Sequence, residues 1–165
     1  MIRIIEAGLS DIVTIQTLAA EIWPITFKNI LSMEQISYMM DMMYSTASLE
    51  QQIQDHKHRF LLAQDNDCYI GYLSFELNYK QVQKTKIHKV YLLPDTQGRG
   101  IGRQLFEEVS AIASQHSNHT LSLNVNRDNK AVSFYEKIGF KIVGEENIPI
   151  GNGFLMEDYI MERSV

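Results

Sequence analysis

Apolar residues recur along this chain with two different periods, and the change between them separates helices from strands. Residues 2–6, I-R-I-I-E, read as a first strand. Ile12, Ile15, Leu18, Ala19 and Ile22 then fall at helical spacing, with Ser10 as the N-cap. Pro24 disfavours helical geometry in its predecessor, so this helix is expected to stop near Trp23. Residues 24–57 lack strand character, and the spacing predicts one or two helices, over 35–43 and 46–55. From Phe60 the period drops to two. F-L-L-A-Q and Y-I-G-Y-L-S-F-E-L, joined by a polar turn around Asn66, read as an antiparallel hairpin, and residues 86–93 read as a third strand of this run. A helix over 101–115 puts Ile101, Leu105, Val109 and Ile112 on one side and turns Glu107 and Glu108 outward. A strand over 120–125, a helix over 129–138 closed by Gly139, and strands over 140–146 and 154–161 complete the order βααβββαβαββ.

The densest chemical signal sits where the 86–93 strand ends. Gln97 to Gly102 reads Q-G-R-G-I-G after a Pro94 turn, and glycine at 98, 100 and 102 removes the Cβ atoms that would hold a ligand away from the backbone. The unpaired N–H groups of the following helix could then face an anion. A nucleoside-triphosphate loop would need Gly-Lys-Ser/Thr, but Arg103 and Gln104 follow Gly102. A dinucleotide fingerprint G-x-G-x-x-G from Gly98 would need glycine where Arg103 stands. The remaining pattern, Q-x-x-G-x-G, resembles the pyrophosphate loop of the GNAT superfamily of N-acetyltransferases. A second stretch, Asn124 to Phe140, reads N-x-N-x-x-N-x-A-x-x-F-Y-x-K-x-G-F and looks like that superfamily's second acetyl-CoA motif. The resemblance covers residues 86–140. It implies an α/β protein with the GNAT fold: one domain over 1–165 and a mixed sheet of about seven strands with helices on both sides. The closing stretch I-G-N-G-F-L-M-E-D-Y-I-M is similar to acetyltransferases of the bacterial spermidine/spermine type.

Position by position, the resemblance implies that backbone groups of Tyr91, Leu92 and Leu93 pair with the pantetheine arm of acetyl-CoA. The N–H groups of Gln97, Gly98, Arg99, Gly100, Ile101 and Gly102 would hold its pyrophosphate, with Arg99 or Arg103 adding charge-assisted contacts. Asn129 would hydrogen-bond the pantetheine or acetyl region. It lies two residues before Ala131 where many relatives have three, so Asn126 or Asp128 could take that role. Tyr135 would stand by the thioester sulfur.

The chemistry has its own requirements. An amine attacking a thioester must lose a proton, and the departing thiolate gains from receiving one. A phenol of ordinary pKa near 10 can serve a thiolate, which makes Tyr135 a general acid. The base is open. Ribosomal-protein-alanine acetyltransferases carry a glutamate where this chain has Asn124, which cannot accept a proton. His88 titrates in the right range and by alternation shares a face with Val90 and Leu92, and Glu76 shares one with Tyr72 and Ser74. Ordered water is the third option.

Composition narrows the acceptor. A net charge of -5 and a pI near 5.5 argue against nucleic acid and suit a small cationic amine, such as a polyamine, better. A protein N-terminus or lysine is the alternative acceptor, and an acyl-CoA-binding sensor without turnover is the alternative of another class. Trp23, Phe27, Glu34 and Tyr38 are expected to line the acceptor cleft, and the methionines of Y-M-M-D-M-M-Y to fill gaps in the core. One cysteine excludes an internal disulfide, and five scattered histidines offer no zinc spacing, so no metal is expected. No stretch suggests a membrane span or a signal peptide, which points to the cytoplasm. The last strands are expected to offer a dimer edge through Phe154, Leu155, Ile160 and Met161.

Overall fold

A computed structural model describes all residues, 1–165. The chain runs β1 (Ile2–Ala7), α1 (Ile12–Phe27), α2 (Met33–Tyr44), α3 (Thr46–Gln54), β2 (Arg59–Asp65), β3 (Cys68–Glu76), β4 (Lys84–Leu92), α4 (Ile101–Gln115), β5 (Thr120–Asn126), α5 (Ala131–Lys137), β6 (Lys141–Gly151) and β7 (Phe154–Ser164). The seven strands form one sheet in the order β1-β2-β3-β4-β5-β7-β6, and β4 with β5 is its single parallel pair. No helix is long and apolar enough to cross a membrane.

The two faces of the sheet bury separate cores. On one, Leu105, Phe106 and Val109 of α4 and Tyr135 and Ile138 of α5 pack on Leu73, Ile87, Leu121, Leu123 and Met161. On the other, α1, α2 and α3 pack on Phe60, Leu62 and Tyr72. The predicted strands and the α4 and α5 helices fall within a few residues of their expected bounds, and the hairpin turns where Asn66 adopts positive φ.

Three expectations change. Ser10 is not the N-cap, because a tight turn at Leu9–Asp11 precedes α1 and the Asp11 carboxylate accepts the Gly8 N–H at 2.9 Å. Helix α1 does not stop at Trp23 but runs through Pro24 to Phe27. An interior proline costs roughly 3 kcal/mol. Here the extra turn seats Phe27 against Trp23, ring centroids 4.5 Å apart, with both side chains buried. Finally, β7 is no edge: it lies between β5 and β6, and Met161 is wholly buried. The chain doubles back at Gly151 and Gly153, both at positive φ, so β6 becomes the outer strand, with Ile142 and Val143 exposed.

Candidate active site

The parallel ladder between β4 and β5 ends at Ile87↔Leu123. Beyond it β4 stays paired with β3 as far as Leu92, while β5 stays paired with β7 as far as Asn126. The two strands therefore part, leaving the β5-facing backbone of His88 to Leu92 without a strand partner. The splay opens into a cavity of about 1330 Å³ that reaches from the glycine loop to α1, α2 and the β6–β7 pair. That exceeds the space one small ligand needs and accommodates a long co-substrate and an acceptor together.

At one end of the cavity lies the loop before α4. Gly98 and Gly100 sit at φ +79° and +78°, a conformation that costs a residue with a Cβ, and no atom lies within 4 Å of where their Cβ atoms would be. The N–H groups of Gly98, Arg99 and Gly100 have no backbone acceptor, and α4 leaves its own first N–H groups free. Gly102 does a different job from its neighbours. It is buried, and a Cβ there would come within 3.0 Å of the Phe134 ring, so it sets how closely α4 approaches α5. The Ile101 side chain is likewise in the core, leaving only its N–H for a ligand. Arg99 is engaged with Asp65 at 2.7 Å, whereas the exposed Arg103 has no ion pair. Gln97 reaches back to the Leu92 carbonyl at 3.5 Å.

Across the splay, Asn126 and Asn129 spend their carbonyl oxygens locally, accepting from Asp128 N and Ala131 N at 2.9 Å each. Their side-chain NH₂ groups remain available. Tyr135 is buried on α5 against Phe106 and Phe140. Its hydroxyl makes no hydrogen bond within the protein and borders the cavity, and burial pushes its pKa well above that of an ordinary phenol. The group is protonated at neutral pH. Tyr91, from β4, reaches the same region. Burial raises its pKa, with the neighbouring Tyr44, Tyr135 and Asp158 hydroxyls and carboxylate adding to the effect.

The opposite wall is polar and was not foreseen. Asp158 on β7 is 3% exposed, opposite Asn126 on β5 and Glu146 on β6. Asn124 bridges two acids, donating through Nδ2 to Glu146 at 3.0 Å and to Asp158 at 3.4 Å, while its Oδ1 accepts from Lys86. Burial raises the Asp158 pKa; the Asn124 bond and Lys86 oppose that in part. The signal for Asp158 was within reach: on a strand of period two, Asp158 and Ile160 share one face, and an acid there is costly unless it works. What the pattern did not reveal is that this face lines the cavity.

The two base candidates read from the sequence meet each other, and His88 also borders the cavity. A bulge leaves His88 without a partner between the pairs Ser74↔Lys89 and Phe75↔Ile87, so it leaves the Val90 and Leu92 face on which alternation put it. Its Nε2 lies 2.9 Å from Glu76 Oε2, and its ring stacks on His58 with centroids 3.9 Å apart. Burial, then the nearby His58 and Lys89, hold His88 far below the usual range, so it takes up no proton at neutral pH. His58, His88 and Glu76 offer one donor atom each within 4.8 Å. The two ring planes are 12° apart, and His58 Nδ1 is buried with no partner to orient it.

The expected acceptor residues divide. Trp23 and Phe27 line the cavity, Trp23 held by an N–H bond to the Tyr44 hydroxyl at 3.2 Å. Glu34 is exposed on the first turn of α2 and does not line it. Tyr38 donates to the Ile150 carbonyl at 2.6 Å and packs on Phe154, which fastens α2 to the β6–β7 pair. Helical spacing explains the exchange: Gln35, Met39 and Met43 form the cavity face of α2, and Glu34 and Tyr38 lie one position off it. Met39 also fills the core as expected, at 4% exposure.

Comparison with known proteins agrees with this fold. A spermidine N(1)-acetyltransferase of Thermoplasma acidophilum is 28% identical over 161 residues, covering 94% of this chain and 96% of that protein. A peptidyl-lysine N-acetyltransferase of Escherichia coli is 38% identical over 60 residues, 36% of this chain and 37% of its own. The crystal structure of the PaiA N-acetyltransferase of Thermoplasma acidophilum, in complex with coenzyme A, superposes with a TM-score of 0.83 at 26% identity, covering 100% of this chain and 99% of that one. The acetyltransferase (GNAT) domain matches residues 28–162, and with most of its length inside that match the chain belongs to the GNAT family of acetyltransferases.

Proposed function

We propose that this acetyltransferase moves an acetyl group from acetyl-CoA to the primary amine of a small cationic acceptor, by direct attack in a ternary complex. The observation that carries the reading is the meeting of two unlike walls at the β4–β5 splay: open backbone N–H groups and Tyr135 on one side, Asp158 with Asn124 and Glu146 on the other.

In this reading the pyrophosphate rests on the N–H groups of Gly98 to Gly102 at the start of α4, where the helix dipole favours an anion. Arg103 is the free guanidinium for it, since Arg99 is paired with Asp65. The pantetheine arm takes the β5-facing backbone of Tyr91 and Leu92, and the NH₂ groups of Asn126 and Asn129 flank it. The acceptor ammonium enters over Asn124 between Asp158 and Glu146, beside the apolar wall of Trp23 and Phe27. Asp158 takes the proton from the amine, replacing His88 and Glu76 in that role. Burial makes its carboxylate more basic than a free one, which brings it closer to the task. The nitrogen attacks the thioester carbon, the C–S bond breaks, and Tyr135 gives its proton to the departing thiolate. A phenol with a raised pKa can still do so, because the same apolar surroundings raise the proton affinity of the thiolate.

Release of CoA thiol by the purified protein, followed over spermidine, spermine, short diamines, aminoglycosides and lysine or N-terminal peptides, tests this. Turnover with small polycations supports the reading. Turnover confined to peptides assigns a protein acceptor instead, and binding of acetyl-CoA without turnover on any amine supports the sensor.

A further inference from the structure

Besides the acceptor's approach, the polar wall already holds an amine. Lys86 projects from β4 one residue before the last β4–β5 pair, at the foot of the splay, where Lys86 lies opposite Ser122. Its Nζ donates to Asn124, the same side chain that donates to Asp158 and Glu146. Lys86, Asn124, Asp158 and Tyr135 all border one cavity. The other charges around it are Glu162, which pairs with Lys84, and Lys80; the ring of Tyr79 lies 5.7 Å from the Nζ. Lys86 thus stands beside the place given to the acceptor nitrogen, bonded to Asn124 and within the field of Glu146 and Asp158, with neither of which it forms an ion pair.

We propose that the protein acetylates its own Lys86 from acetyl-CoA bound in the splay. The inference rests on the acetyl-transfer reading above. The Nζ lone pair attacks the thioester carbon, a C–N bond forms and the C–S bond breaks. One proton leaves the nitrogen for Asp158 and then solvent, and the CoA thiolate is protonated by Tyr135. Tyr135 regains its proton from solvent, so the neutral amine and acetyl-CoA give Nε-acetyl-Lys86 and CoA thiol with no net proton released. Two features of the site favour the step. Burial lowers the Lys86 pKa to about 8, against the opposing pull of Glu146 and Asp158, so a substantial share of the amine is unprotonated near neutral pH, where an exposed lysine has on the order of one part in a thousand. The tether also makes the attack unimolecular, which raises the effective concentration of the amine. An external polyamine competes for Asn124 and Asp158 and therefore suppresses the modification.

The full chain, incubated with acetyl-CoA and no acceptor, is digested and the acetyl content of Lys86 followed by mass spectrometry beside the exposed Lys137 and Lys141. Lys86 is expected to react at least about tenfold faster than either, at a rate unchanged by tenfold dilution of the protein, and to slow by about tenfold or more in Tyr135→Phe while Lys137 and Lys141 do not change. Spermidine is expected to lower the Lys86 rate. Reaction of Lys86 no faster than Lys141, or a rate that falls in proportion to protein concentration, overturns the proposal. The same preparation is assayed for CoA-thiol release on the amine panel. Turnover there with Lys86 unmodified overturns self-acetylation alone, and failure of both overturns the acetyl-transfer reading with it. A melting curve of Tyr135→Phe establishes that the variant is folded.

Discussion

The two faces of the sheet present different materials to the cavity. On the α4 and α5 face, the groups offered to a ligand belong mostly to the backbone: the N–H groups of the glycine loop and the unpaired edge of β4. They come from one stretch of about fifteen residues, so local sequence defines them. On the α1, α2 and α3 face the groups are side chains, Lys86, Asn124, Glu146 and Asp158, from four different strands. They become a site only because β7 inserts between β5 and β6. Backbone groups drawn from one stretch leave a motif, whereas side chains gathered from four strands leave scattered residues.

The sharpest way to break this contrast is to remove the Tyr135 hydroxyl, the proposed proton donor. Tyr135→Phe is expected to lower kcat by roughly 10²- to 10³-fold with little change in the KM for acetyl-CoA, because the hydroxyl holds no other protein group and the ring remains. Steady-state kinetics checks this, and an unchanged kcat would remove Tyr135 from the chemistry. Asp158→Asn is expected to lower kcat by about 10²-fold while leaving the protein at least as stable, since it removes a carboxylate that burial disfavours. The same kinetics in His88→Gln should show less than about a threefold change, the inverse of what the sequence pattern suggested. In the parent enzyme the acidic limb of kcat/KM, which reports Asp158, should lie above the usual carboxylate range, rising with pH as the base is deprotonated.

Substitutions in the loop should act on binding and leave chemistry alone. Gly100→Ala, at φ +78°, is expected to cost about 1 kcal/mol of stability and raise the KM for acetyl-CoA by about tenfold, with kcat retained. Thermal melting and initial rates measure both.

The smallest effect is on the pH dependence of folding. Burial holds the folded-state pKa of His58 at about 4, below an unfolded value near 6.5, so between these values the folded protein binds fewer protons than the unfolded chain. Stability is therefore full above pH 6.5 and declines as pH falls towards 4. His88, held lower still, adds to the decline in the same window, so melting temperatures should drop by about a few degrees or more across it, and His58→Gln should remove only part of the decline.

Much of the fold was legible because α4 and the hairpin strands obey local rules. The apolar period of α4, the turn at Asn66 and the Gly139 stop hold wherever those residues fall in space. Expectations failed where a distant partner outweighed a local preference. Pro24 should have ended α1, but Phe27 gains a place against Trp23. His88 should have faced Val90 and Leu92, but a bulge across from Ser74 turned it to Glu76. Glu34 and Tyr38 were assigned to a cleft whose position depends on how α2 docks.

By itself, then, the sequence determined the order of elements, the glycine loop and the place of Tyr135, because each depends on residues adjacent in the chain or one helical turn apart. The tertiary structure decided which acids gather around Asn124, which arginine stays free of an ion pair and that Lys86 joins the same cluster. Those outcomes depend on strand order and register, which bring together residues as far apart as Lys86 and Asp158 and which no local pattern encodes.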